Sequence, residues 1–250
     1  MSILDQITET GTVVPRLTIY GKPGVGKTTL ANEFPKPLFL FTEKPGLVGL
    51  KGIAITDFGH MWTTMKELLA LETIPFQTLI IDSLTRLDTM VVEYILSKEK
   101  DPDKATISSA CGGYGKGLEK AADMHRAFKA LCDQWQDRNI AIIYLAHTAL
   151  VKDRMPDTED FEINTLEMHH NKSRTIYINE VDAVLFARQK AYVEATETGR
   201  TIVRSTNNRV LVTSLNDCHV AKNRFGMLPE IVLSFEAIAE SIPYFNKEKK

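Results

Sequence analysis

Along the first 150 residues, short runs that are apolar at every position alternate with segments of helical period. Arg16 to Tyr20 is a β-favouring run that stops at Gly21, and Lys27 to Phe34 then has a helical pattern ended by Pro35. Leu38 to Phe41 and Thr78 to Ile81 are apolar throughout, Ile53 to Ile55 is a weaker strand, and Ile140 to Ala146 is another buried-type run. Helical periodicity covers about His60 to Leu71, Arg86 to Ser97 and Leu118 to Trp135, the last two separated by a polar, glycine-bearing loop from Lys98 to Gly117. Strands apolar on both faces that alternate with helices predict an α/β fold, a mostly parallel sheet covered by helices on both faces.

The pattern changes after Ala149. Residues 150–174 are polar, without a convincing period, and are expected to form a long mobile loop. From 183 to 235 the chain is β-rich, with runs at Val184 to Phe186, Tyr192-Val193, Thr201 to Val203 and Arg209 to Val212. Turn signals stand at Thr198-Gly199 and Asn207-Asn208, and these strands are expected to extend the same sheet antiparallel. The expected organisation is one domain over 1–250, with an N-terminal segment at 1–15 and a frayed lysine tail at Lys247 to Lys250.

Composition narrows the function classes. With 30 basic and 32 acidic residues the formal charge is −2, so no global positive field draws the chain to nucleic acid or membrane, and any polyanion site must be local. Three cysteines, none in a CxxC pair, give neither a disulfide framework nor a structural zinc site and fit a reducing cytoplasm. No apolar run approaches the length of a membrane span, and residues 1–15 do not have the pattern of a signal peptide. The adjacent His169-His170 does not make a metal site, because neighbours on a strand point to opposite faces and no third ligand accompanies them.

The chemistry is carried by Gly21-Lys22-Pro23-Gly24-Val25-Gly26-Lys27-Thr28, a full G-x-x-x-x-G-K-[ST] motif between a strand and a helix, with Thr29 next to it. Its glycines let backbone N–H groups wrap a phosphate chain, Lys27 reaches the β- and γ-phosphates, and the Thr28 hydroxyl is placed for Mg²⁺. ATP and Mg²⁺ are therefore the expected ligands. Asp82, at the carboxyl end of Thr78 to Ile81, is the expected acid for the metal, a helix cap being its other possible role. The next residue is Ser83 and not Glu, so a base must come from elsewhere. Glu43, just past the strand Leu38 to Phe41, is the candidate to orient water, or else a solvated residue beside the Lys44-Pro45-Gly46 turn.

The Walker A segment, Thr42-Glu43 after the next strand and hydrophobic-Asp82-Ser83 together resemble the RecA-type core ATPases. The segment Gly113-Tyr114-Gly115-Lys116, the strand end Ala146-His147 and Ala221 to Phe225 followed by Leu228-Pro229 are similar to the short RecA-like ATP-binding proteins of phages. Those act in single-strand annealing or recombination, and the likeness spans residues 16 to about 235. The resemblance implies that Glu43 is the catalytic base and that His147, where RecA has Gln, senses the γ-phosphate. It implies a homo-oligomer, filament or ring, in which Lys222 and Arg224 complete a neighbour's site, although a solvated basic strand face or a DNA track would also account for that pair. It further implies single-stranded DNA held by two loops through Lys104, Tyr114 and Lys116 in the first and Lys152 and Arg154 in the second. A single-strand-binding protein as partner and action in the cytoplasm of a bacterial host follow from the same resemblance. The alternatives are a ring-forming motor, either helicase or remodeller, and a nucleotide-binding adaptor that never touches DNA.

Overall fold

Hydrophobicity on both faces of consecutive strands is resolved as a central sheet with a separate core on each side. The computed structural model describes residues 11–153, 160–195 and 201–246. In chain order the elements are β1 (Arg16–Gly21), α1 (Lys27–Asn32), β2 (Pro37–Phe41), β3 (Gly52–Ala54), α2 (Phe58–Leu69), β4 (Thr78–Asp82), α3 (Leu84–Leu96) and α4 (Lys116–Asp137). They continue with β5 (Ala141–Ala146), β6 (Thr148–Asp153), β7 (Phe161–Leu166), α5 (Asn171–Asn179), β8 (Ala183–Ala195), β9 (Thr201–Val212), β10 (Lys222–Asn223), β11 (Glu230–Val232) and α6 (Phe235–Ala239).

The main sheet has the order β11-β9-β8-β1-β5-β4-β2-β3, with β10 also paired to β8. From β8 across to β3 all neighbours are parallel. One strand, β5, therefore separates the P-loop strand β1 from β4, which carries Asp82. Alternation along each strand feeds the two cores. Ile142 and Tyr144 of β5 pack with Met61, Leu87, Phe128 and Tyr177 from α2 to α5, while Ile143 and Leu145 pack with Leu30 of α1 and Ile238 of α6. On that second face Phe34, just after α1, lies 4.9 Å from Phe235 and 5.4 Å from Phe245, centroid to centroid. The helices start where local chemistry allows: the Asp57 side chain accepts from His60 N–H and the Ser83 hydroxyl from Arg86 N–H.

Four expectations are corrected. Residues 150–174 are not one loop: β6 and β7 pair antiparallel as a two-stranded ribbon, and α5 begins at Asn171. Charged residues such as Lys152 and Glu162 on its exposed side hide the alternation, although Ile163, Thr165 and Leu166 are buried. β8 is parallel to β1, and only β9, β10 and β11 extend the sheet antiparallel. Asn207-Asn208 is not a turn but lies within β9, where the ladder shifts register between Gln189 and Ala191. The basic run at Lys222 to Arg224 is not an extended strand, since β10 is two residues long. Thr198-Gly199, Arg154, the lysine tail and residues 1–10 lie outside the described residues. Among the described residues no helix is long and apolar enough to cross a membrane.

A buried polar cluster joins three helices. Asp88 of α3 receives His125 Nε2 of α4 at 2.9 Å, while its other oxygen is 2.6 Å from both the N–H and Nδ1 of His169, just before α5. His125 Nδ1 contacts the Tyr177 hydroxyl at 3.0 Å. Burial alone would raise the Asp88 pKa, but the bonds from His125 and His169 outweigh it and hold the carboxyl below its ordinary value.

Candidate nucleotide-binding site

Parallel pairing puts the carboxyl ends of β1, β5, β4 and β2 on one edge of the sheet, so Gly21, His147, Asp82 and Glu43 meet there although they are distant in sequence. Gly21 closes β1 against β8: a Cβ on it would stand 2.2 Å from the Ala187 carbonyl oxygen, so no side chain fits. Gly24 and Gly26 then take φ of +77° and +106°, the left-handed backbone that lets the loop turn back over the sheet edge. The loop and its neighbours enclose a cleft of about 360 Å³ lined by Gly24, Gly26, Lys27, Thr28 and Thr29, by Glu43, Asp82 and His147, and by Arg209.

Lys27 is buried, and its ammonium donates to the carbonyls of Gly21 at 2.8 Å and Lys22 at 3.1 Å. Burial lowers its pKa to about 8, against the pull of the Asp82 and Glu43 carboxylates. The Thr28 hydroxyl donates to Asp82 Oδ2 at 2.9 Å. Burial pushes the Asp82 carboxyl up, the Thr28 bond and Lys27 pull it down, and the net shift is upward. Thr28 and Asp82 are hard oxygen donors held together beside a cation, a set that fits Mg²⁺.

The second half of the site is a chain of contacts across β2, β4 and β5. The Asp82-Ser83 peptide is cis, and Thr42 brackets it: its N–H donates to Asp82 O at 2.8 Å, its hydroxyl donates to Ser83 O at 2.9 Å and accepts from Ser83 N–H at 2.7 Å. The Ser83 hydroxyl donates to Glu43 Oε1 at 2.5 Å, and His147 Nε2 lies 3.5 Å from the same oxygen. His147 is itself held, its N–H donating to Thr85 Oγ1 at 3.0 Å and its carbonyl accepting from Glu167 N–H at 2.9 Å. A half-exposed carboxylate fixed on one oxygen by Ser83 and flanked by an imidazole can order a water in the cleft. Ser83 caps α3 in place of Asp82, which leaves the Asp82 carboxylate to Thr28.

Lys222 and Arg224 do not line this cleft. Lys222 donates to the carbonyls of Asn179 and Ile178 at the carboxyl end of α5, and Arg224 Nη1 is 3.5 Å from Asp182 Oδ1, at the amino end of β8. Of the residues expected to touch DNA, Tyr114 is fully exposed between Gly113 and Gly115, Lys116 is the first residue of α4, and Lys104 pairs with Asp101 at 2.9 Å. Lys152 stands opposite Glu162 in the β6–β7 ribbon. Sequence reasoning missed Thr42 and Thr85 as clamps and Arg209 as a wall of the cleft. Thr42 enters the sequence reading only as the residue before Glu43, Thr85 carries no motif, and Arg209 arrives through strand pairing alone.

Among solved structures, the crystal structure of the RadB recombinase is similar, at 15% identity over 80% of each chain with a TM-score of 0.43. None of the curated proteins matches the chain. Residues 14–225 match the family described as an AAA domain. Because that span covers most of its length, the chain belongs to the AAA domain family.

Proposed function

We propose that the chain hydrolyses ATP and couples its nucleotide state to single-stranded DNA in recombination or annealing, as the short phage RecA-like proteins do. The observation that supports hydrolysis is one cleft holding both Thr28 with Asp82 and the Ser83–Glu43–His147 contacts. Lys27 and the loop backbone would bind the phosphates, while Thr28 and Asp82 would hold Mg²⁺, which neutralises phosphate charge when bound. Glu43 would orient the attacking water and take up its proton, with Ser83 fixing the carboxylate and His147 beside it reporting on the γ-phosphate. For DNA, Tyr114 offers a fully exposed ring between glycines, with Lys116 and Lys104 nearby in sequence, a combination suited to stacking a base and meeting its phosphates.

Assembly into a filament or ring, with Lys222 and Arg224 presented to a neighbour's nucleotide, belongs to the same proposal, as do a single-strand-binding partner and action in the cytoplasm of a bacterial host. The test is ATPase rate against protein concentration, with and without single-stranded DNA, while particle size is followed. Stimulation by DNA with growth of filaments or rings supports the proposal. A slow, DNA-independent rate from a persistent monomer overturns its DNA and assembly parts. Steady ATP-driven unwinding replaces it with a motor.

A further inference from the structure

We propose that Arg209 supplies a second cation, in cis, to the phosphate chain of the bound nucleotide. The inference rests on the nucleotide reading of the cleft and goes beyond it, because it gives the chain's own phosphate site a charge that no neighbour has to bring.

The argument begins with strand length. Gly21 is the last residue of β1 and pairs with Ala187 of β8, which faces Leu211 of β9. The β8–β9 ladder does not stop there but continues through Arg188 and Val210 to Gln189 and Arg209. Arg209 thus sits two rungs past the end of the P-loop strand, on the part of the hairpin that overhangs the loop. Its backbone is tied on the far side as well, since Leu233 N–H donates to Arg209 O at 3.1 Å. Only the side chain is left to choose a direction, and Nη1 lies 3.0 Å from where a Cβ on Gly26 would stand. Gly26 is required for its φ of +106°, and its lack of a side chain leaves open the space beside the guanidinium.

Charge singles out this arginine from its neighbours. Arg188 and Lys190, on the same hairpin, both pair with Glu230, at 3.2 and 2.5 Å. Arg209 lines the cleft with Lys27, Thr28 and Asp82, and no carboxylate among the described residues is within ion-pair distance of it. A planar guanidinium, always charged and held over a phosphate-binding loop, matches the oxygens of a nucleoside di- or triphosphate.

The experiment compares Arg209→Ala, Arg209→Gln and Arg209→Lys with Lys27→Ala, measuring displacement of a fluorescent ATP analogue by ATP and by inorganic tripolyphosphate. Arg209 is exposed, and a thermal melt of the Gln variant checks that folding is intact. Loss of one charge-assisted contact should weaken both competitors about 10- to 100-fold in the Ala and Gln variants, with partial recovery in the Lys variant. Mixing Arg209→Ala with Lys27→Ala should restore nothing, because each chain must carry its own arginine. Wild-type affinity for both competitors, loss for ATP but not tripolyphosphate, or rescue on mixing would each overturn the proposal. If Lys27→Ala also binds ATP normally, the nucleotide reading itself fails; if only the Arg209 variants are unaffected, this inference alone fails.

Discussion

Thr28 and Asp82, 54 residues apart in sequence, are joined by a 2.9 Å hydrogen bond from hydroxyl to carboxylate across the mouth of the cleft. The bond fixes the orientation of the one hydroxyl that a P-loop presents to metal. Asp82→Asn should keep nucleotide affinity in chelator but weaken Mg²⁺ by about 10- to 100-fold, the usual cost of losing a group that orients a metal ligand. Titrating Mg²⁺ against a fluorescent ATP analogue checks this, and an unchanged Mg²⁺ dependence would remove Asp82 from the metal site.

Glu43→Gln should bind ATP as the wild type does while turnover falls by at least about 100-fold, the lower end of what a positioned base contributes. Wild-type turnover in that variant would sink the assignment. Ser83→Ala should lose less activity, because it frees the carboxylate without removing it. It should also cost about 1 kcal/mol of stability through the lost cap on α3. Ser83→Thr, which keeps the hydroxyl, should recover both in steady-state kinetics and urea melts.

Binding should take up a proton on the alkaline side. Burial holds the free Lys27 ammonium at a pKa of about 8, below its ordinary 10.5, whereas bound phosphate favours the charged form and raises it. Between those two values the free chain has lost a proton that the complex retains, so affinity should fall as pH rises through 8, approaching about tenfold per pH unit. Calorimetry near about pH 9 in two buffers of different ionisation enthalpy reads the uptake directly. Lys27→Arg, which stays charged in both states, should show none.

Asp88→Ala should destabilise the chain by about 3–5 kcal/mol, because it leaves His125 and His169 without their buried acceptor. The carboxyl has a lowered pKa when folded, so its contribution is complete above the ordinary carboxylate value and is lost as pH falls through the folded one. Urea unfolding of the wild type should weaken over that acidic window. Asp88→Asn should flatten the decline; an identical acid limb in the two proteins would contradict the shift.

The sequence reveals those parts of this molecule that periodicity and motif encode. Leu38 to Phe41, Thr78 to Ile81 and Ile140 to Ala146 read as strands because both faces are buried, and the structure brings Lys27, Thr28, Glu43, Asp82 and His147 into one cleft. The β6–β7 ribbon was illegible because polar residues such as Lys152 and Glu162 face each other on it. Asn207-Asn208 gives the same signal whether it turns a hairpin or sits at a register shift, and only the pairing of β8 with β9 decides between them. Arg209 was beyond sequence altogether, because its place depends on how far one hairpin outruns the neighbouring strand.

Phe34, pressed between Phe235 and Phe245, has a consequence for synthesis. The nucleotide motif is made among the first thirty residues, yet the helix that follows it rests on side chains made more than two hundred residues later. β8, whose Ala187 packs against Gly21, also emerges late. A ribosome therefore releases the ATP-binding signature long before the helix behind it is fully packed, because that packing waits for the carboxyl-terminal aromatics to fold back onto Phe34. Nascent chains arrested before residue 235 should not be retained on immobilised ATP, whereas chains extended through Phe245 should be.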